Sequence, residues 1–195
     1  MNNPIITVLD FETTGTLPGY PAEPWQIGMV QMRNGALQQE HFESLLRIGD
    51  RPFNPMAPGN HHALRPQLRV APLFQELWPS LTPWLNGVIL CAHNIATEKN
   101  ILHQQAPLHH FGPWLDTLKL ARAAWPDAPS HKLEELILAL NLRDEADAFC
   151  PNREPHDALY DAVCCALLLK TILNLPGWKE TPLKSLLLHK RKGNW

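Results

Sequence analysis

The feature that most constrains this chain is an apolar run, Ile5-Ile6-Thr7-Val8-Leu9, that leads directly into Asp10-Phe11-Glu12. A β-branched apolar run of this kind reads as a buried strand. Strand side chains alternate, so positions i and i+2 share a face. Asp10 and Glu12 therefore lie side by side where the strand leaves the core. Two carboxylates so placed repel each other and resist desolvation. Either both are solvated at the strand exit, or a divalent cation neutralises them. Hard cations such as Mg²⁺ take carboxylate oxygens, often with substrate phosphate completing the shell.

The chain has 195 residues, 45% of them hydrophobic, which suits one domain with its own core. A net charge of −2 excludes a polycation that binds nucleic acid by bulk charge, and leaves a local basic patch open. Nineteen prolines point to stiff loops. The longest apolar runs, Val88–Ala92 and Ala162–Leu169, fall far short of the ~18 residues of a membrane span. The start, Met1-Asn2-Asn3-Pro4, has neither the basic nor the apolar region of a signal peptide. Cys91, Cys150, Cys164 and Cys165 show no CxxC spacing and read as idle thiols in a reducing compartment. A cytoplasmic location and no membrane partner are expected.

The expected order is three strands, then alternating helix and strand. Trp25–Met32 and Leu37–Arg47 form strands joined by the Asn34-Gly35 turn. Residues 49–67 are Pro-rich and read as irregular. Helical spacing follows over Ala71–Leu85, interrupted by Pro79 and Pro83. Val88–Ala92 is a buried strand, followed by a helix over Thr97–Gln104. Gly112–Leu115 is a short strand, and Asp116 caps a helix over Thr117–Trp125. Ser130–Leu140 is an amphipathic helix with a serine N-cap, and Asp157–Leu173 is the strongest helix. Pro182–Lys192 reads as a short helix ending in a basic segment, His189–Lys192. The fold class is α/β, a mixed central sheet flanked by helices.

Three further residues carry chemical potential. Glu98 lies one helical turn past the strand Val88–Ala92, at a junction where ligand groups gather. Taken singly, it also reads as an exposed helix acid. Asp161 sits among Ala158, Leu159, Ala162 and Val163, where a carboxylate needs a partner. His156 precedes that helix on a loop, because Pro155 argues against a helix starting earlier. Converging at one sheet edge, these groups suit two-metal hydrolysis, with two Mg²⁺ or Mn²⁺ ions and a histidine that removes a proton from water.

The chain resembles the DEDDh group of 3′–5′ exonucleases, of the RNase H-like superfamily. That group includes the proofreading subunit of bacterial replicative polymerase, RNase T and exonuclease X. The resemblance covers roughly residues 5–174 and rests on three motifs: Leu9-Asp10-Phe11-Glu12-Thr13-Thr14-Gly15, Ala92-His93-Asn94-Ile95-Ala96-Thr97-Glu98, and His156-Asp157-Ala158-Leu159-Tyr160-Asp161-Ala162. It implies an exonuclease domain over 1–178, with a short C-terminal helix and basic tail over 179–195. By position, Asp10 would bridge both metals, Glu12 and Asp161 would complete the water-activating site, and Glu98 would serve the second metal. His156 would be the general base. Phe11, Thr13 and Thr14 would hold the terminal nucleotide, and His61 falls where relatives of exonuclease X have a histidine.

The family's Asp in the second motif is Glu98 here, longer by one methylene, about 1.5 Å. The aromatic residue that usually precedes it is Thr97. The resemblance therefore implies an enzyme acting on the 3′ end of single-stranded DNA or RNA. The alternatives are a weakened member that binds nucleic-acid ends or a protein partner, and a small-molecule phosphohydrolase. On the sequence alone, Glu98→Asp is expected to raise hydrolysis by a weak enzyme and to leave a pure binder unchanged.

Overall fold

The computed structural model describes residues 4–59 and 61–187; the basic segment His189–Lys192 lies outside them. The strands are β1 (Ile6–Thr13), β2 (Pro24–Arg33), β3 (Ala36–Leu45), β4 (Ile89–Ala92) and β5 (Trp114–Asp116). They form one sheet in the order β3-β2-β1-β4-β5. β1 pairs antiparallel with β2, and β2 with β3. β4 joins the other edge of β1 in parallel, and β5 joins β4 in parallel. The Asn34-Gly35 hairpin forms as expected, with both residues in the left-handed region.

Alternation along β1 divides the core. Ile6 and Val8 face one apolar cluster, which is filled mainly by α7 (Ala158–Leu173). Leu9 and Phe11 face another, with Ile27 and Met29 of β2 and Leu81 and Leu85 of α2 (Trp78–Leu85). By the same alternation, Asp10 and Glu12 continue the α7 face. α7 is buried around most of its circumference, as befits a helix apolar on nearly all sides. Helices α4 (Thr117–Ala124), α5 (Leu133–Ala139) and α6 (Arg143–Phe149) pack against it.

Several elements differ from the sequence reading. The first strand runs on to Thr13, so both acids are strand residues. The segment expected to be irregular contains α1 (His61–Val70), with Pro66 inside it. The helix expected over Ala71–Leu85 begins only at Trp78, because Pro79 favours a first-turn position. α5 starts at Leu133, and Ser130 Oγ instead accepts from the N–H of Lys132. α6 was not anticipated. Of the expected C-terminal helix, the described part is α8 (Leu183–Leu186). Among the described residues no helix is long and apolar enough to cross a membrane. The four cysteines are free and buried.

Candidate active site

β1, α3 (Ala96–Gln105) and the start of α7 carry the acids, with Asp10 on the central strand in electrostatic reach of Glu98, Asp161 and Glu12. Asp10 pairs with Gly28 across the β1–β2 ladder, and Glu12 with Gln26. Both β2 residues dock α7. A Cβ on Gly28 would lie 2.2 Å from the Leu159 nitrogen and 2.3 Å from the Ala158 carbonyl carbon, so glycine is what permits this approach. Gln26 donates to Asp157 Oδ2 at 3.1 Å and accepts from the Ala158 N–H at 3.3 Å.

Asp157 caps α7, its carboxylate accepting from the N–H groups of Leu159 and Tyr160. Arg153 grips both Asp157 oxygens at 2.9 and 3.0 Å and also pairs with Glu43 of β3. This clamp fixes the loop before α7. On that loop His156 adopts φ +69°, and its N–H donates to Asp161 Oδ2 at 3.0 Å. The His156 side chain stays exposed. Glu12, His156 and Asp161 each present one donor atom, and these atoms lie within 4.8 Å of one another.

Glu98 arrives from β4 through a tight turn. Asn94 takes φ +69° there, and its N–H donates to Asp116 Oδ1 at 3.2 Å. Asp116 also accepts from Leu118 and Lys119, capping α4 as its sequence position suggested. His93 bridges the Thr117 hydroxyl at 3.0 Å and the His131 carbonyl at 2.9 Å. Glu98 is 3% exposed, and its Oε2 has no hydrogen-bond partner among the described residues.

The electrostatics are those of crowded carboxylates. Burial, then the charges of Glu98, Asp161 and Glu12, push the Asp10 carboxyl well above its usual range. Burial first, then Asp161 and Asp157, raise Glu12 to about 8. Burial and Asp116 raise Glu98 to about 8. Burial, with Asp157 and Glu134, raises Asp161 to about 7 against the opposing His156 N–H. The orphaned buried oxygen of Glu98, in electrostatic reach of Asp10, and the Glu12–His156–Asp161 group make an oxygen-rich, anion-excess donor set that suits a hard divalent cation.

The remaining expected site residues are dispersed. Phe11 is buried, its ring against Phe74. Thr14 is fully buried and its Oγ1 accepts from the Glu23 N–H at 3.1 Å; Thr13 is half-buried. His61 is 1% exposed and stacks on Phe53 at 4.0 Å, with Trp25 on its edge. Its ring packs in the core among the described residues. Sequence reasoning passed over Gly28, Gln26 and Arg153. A glycine inside an otherwise apolar strand was the available signal for the first.

The exonuclease family model RNase_T matches residues 7–169. The chain belongs to the RNase_T exonuclease family. It is 27% identical to exodeoxyribonuclease 10 of Escherichia coli over 178 residues, spanning 89% of this chain and 71% of that protein. It is 28% identical to the 3′-5′ exonuclease DinG of Staphylococcus saprophyticus over 190 residues, which is 95% of this chain but 20% of DinG. Among solved structures, the nuclease domain of 3′hExo, a DEDDh family member bound to rAMP, superposes with a TM-score of 0.66. It has 17% identity and covers 91% of this chain and 94% of that one. Exonuclease I of E. coli in complex with an oligonucleotide gives 0.63 at 18% identity, covering 91% and 41%. At these identities the structural likeness is one of fold, the RNase H-like fold of DEDDh exonucleases.

Proposed function

We propose that this RNase_T family member is a divalent-metal-dependent 3′–5′ exonuclease acting on single strands of DNA or RNA. The observation that carries the reading is the meeting of Glu12, His156 and Asp161, whose donor atoms lie within 4.8 Å of one another, with Asp10 in electrostatic reach of Glu98, Asp161 and Glu12. The names of two relatives, an exodeoxyribonuclease and a 3′-5′ exonuclease, support the reaction class and direction.

Asp10, Glu12, Glu98 and Asp161 would hold the ions. When bound, Mg²⁺ or Mn²⁺ supplies Lewis acidity at the scissile phosphate and charge neutralisation among the acids. His156 takes the proton of the attacking water on its ring nitrogen. Its exposed position on a clamped loop leaves it free to pass that proton to solvent. The backbone of Phe11–Thr14, running out of β1, borders the acids and would orient the terminal nucleotide.

The test uses 5′-labelled DNA and RNA strands incubated with Mg²⁺, Mn²⁺ or EDTA. A 3′-shortening ladder is expected with metal and lost with EDTA or Asp10→Ala. Strand binding without a ladder under any metal would instead establish a binder of nucleic-acid ends.

A further inference from the structure

A cavity of about 640 Å³ opens from His156 and Asp161 and extends between α4 and the turn into α5. Its size lies within the roughly 300–1,000 Å³ of small-ligand clefts, room for a nucleotide or two. Two cations line it, Arg122 and Lys132. Leu118, Leu133 and Pro155 give it apolar surface, and Glu134 is its only acid besides Asp161 among the described residues.

Arg122 differs from most arginines of this chain. Arg47, Arg51, Arg69, Arg143 and Arg153 each pair with an acid. Arg122 is exposed and makes no hydrogen bond or ion pair among the described residues. Lys132 meets only Glu135, at 3.4 Å, with both side chains well exposed, a contact that holds it weakly. A chain of net charge −2 with four crowded carboxylates repels a polyanion. Unspent cations sharing a cavity with Asp161 offset that repulsion where a strand must pass.

We propose that this groove is the track for the strand on the 5′ side of the scissile phosphate. Arg122 and Lys132 contact its phosphates, while Leu118, Leu133 and Pro155 lie against sugar and base. The ligand is a single-stranded phosphodiester of either sugar, read through charge and apolar contact rather than base edges. This assignment rests on the exonuclease reading and adds to it the path of the strand.

The test is fluorescence anisotropy with labelled hexathymidylate and hexauridylate, with Ca²⁺ replacing Mg²⁺ or Mn²⁺ to suppress turnover. Arg122→Ala and Lys132→Ala should each weaken binding about 3- to 10-fold. The double variant should lower the salt slope by about 0.7 for each lost contact. Arg69→Ala, which removes a cation outside the groove, should leave affinity and slope unchanged. Competition with thymidine 5′-monophosphate, which spans only the terminal position, should show no deficit in the double variant. Wild-type affinity and slope in the double variant for both strands would overturn the proposal. So would a deficit equally large for the mononucleotide. Because the readout is binding, a chain that binds strands but fails to cut them sinks the exonuclease reading alone, and the Arg122 and Lys132 variants still decide whether the groove holds the strand.

Discussion

Asp10 and Gly28 lie opposite each other in the β1–β2 ladder, and the hydrogen that serves as the Gly28 side chain is what lets α7 settle against the sheet. Asp161, one turn into α7, is thereby brought within the electrostatic reach of Asp10. The site is thus built on a backbone-to-backbone contact.

Gly28→Ala follows directly. Its Cβ would meet main-chain atoms of Ala158 and Leu159 at 2.2 to 2.4 Å, and neither can swing aside. α7 must shift, costing about 3 kcal/mol or more. A displacement beyond about 0.5 Å also misplaces Asp161. Chemical denaturation and the exonuclease assay on the same sample should show both losses. Wild-type stability with full activity would refute the role given to this glycine.

The crowded acids make a pH prediction for the metal-free protein. Glu12 and Glu98 rise from 4.5 to about 8, and Asp161 from 3.8 to about 7. Each folded value exceeds the unfolded one, so the native state keeps protons that the unfolded chain has released. Their contribution is whole below the unfolded values and drains as pH climbs through the folded ones. Thermal stability in EDTA should therefore fall between about pH 5 and 8. At pH 8, metal at about 100 times its Kd adds about 2.7 kcal/mol, raising Tm by roughly 5–10 °C. Asp10→Asn should raise the EDTA Tm at pH 8 and abolish the metal-induced rise. A flat EDTA profile over this range would contradict the electrostatics assigned to the site.

His156 separates proton transfer from metal holding. Its exposed side chain contributes little to packing, and its φ of +69° is one that asparagine tolerates. His156→Asn keeps the backbone N–H that donates to Asp161. The turnover rate should fall about 10²- to 10⁴-fold, with stability within about 0.5 kcal/mol of wild type. Metal affinity, measured by calorimetry, should change by no more than a few-fold. A large loss of affinity would make His156 a ligand instead of the base.

What could be read in the sequence was whatever local pattern encodes. Alternation in Ile5–Leu9 placed Asp10 and Glu12 on one face, and Asp116 and the apolar run of α7 were legible by capping and composition. The helix α1 was not, because Pro66 sits inside it and tertiary packing on Trp25 and Ile48 holds it despite that proline. His61 fell within the stretch read as irregular for the same reason, although its ring is core filling. The Glu43–Arg153–Asp157–Gln26 network joins residues far apart in the chain. No periodicity signals such long-range pairing.

Glu98 gives the last prediction. Its extra methylene suggested that shortening it would improve a weak site. The buried carboxylate, however, is the first charge felt by Asp10, and its Oε2 is the orphaned atom that a cation would satisfy. We take the buried glutamate, as it stands, to be the length the site uses. Glu98→Asp would retract the carboxylate by about 1.5 Å and leave a methylene-sized void costing about 1 kcal/mol. Activity should fall roughly tenfold or more and weaken further at low metal concentration, while strand binding in Ca²⁺ changes less. Glu98→Gln should abolish activity and raise stability in EDTA at pH 8, since it deletes a buried charge. Titrating activity against Mn²⁺ for the three proteins tests this. A gain of activity in Glu98→Asp would show that the longer side chain is a handicap that this fold has not accommodated.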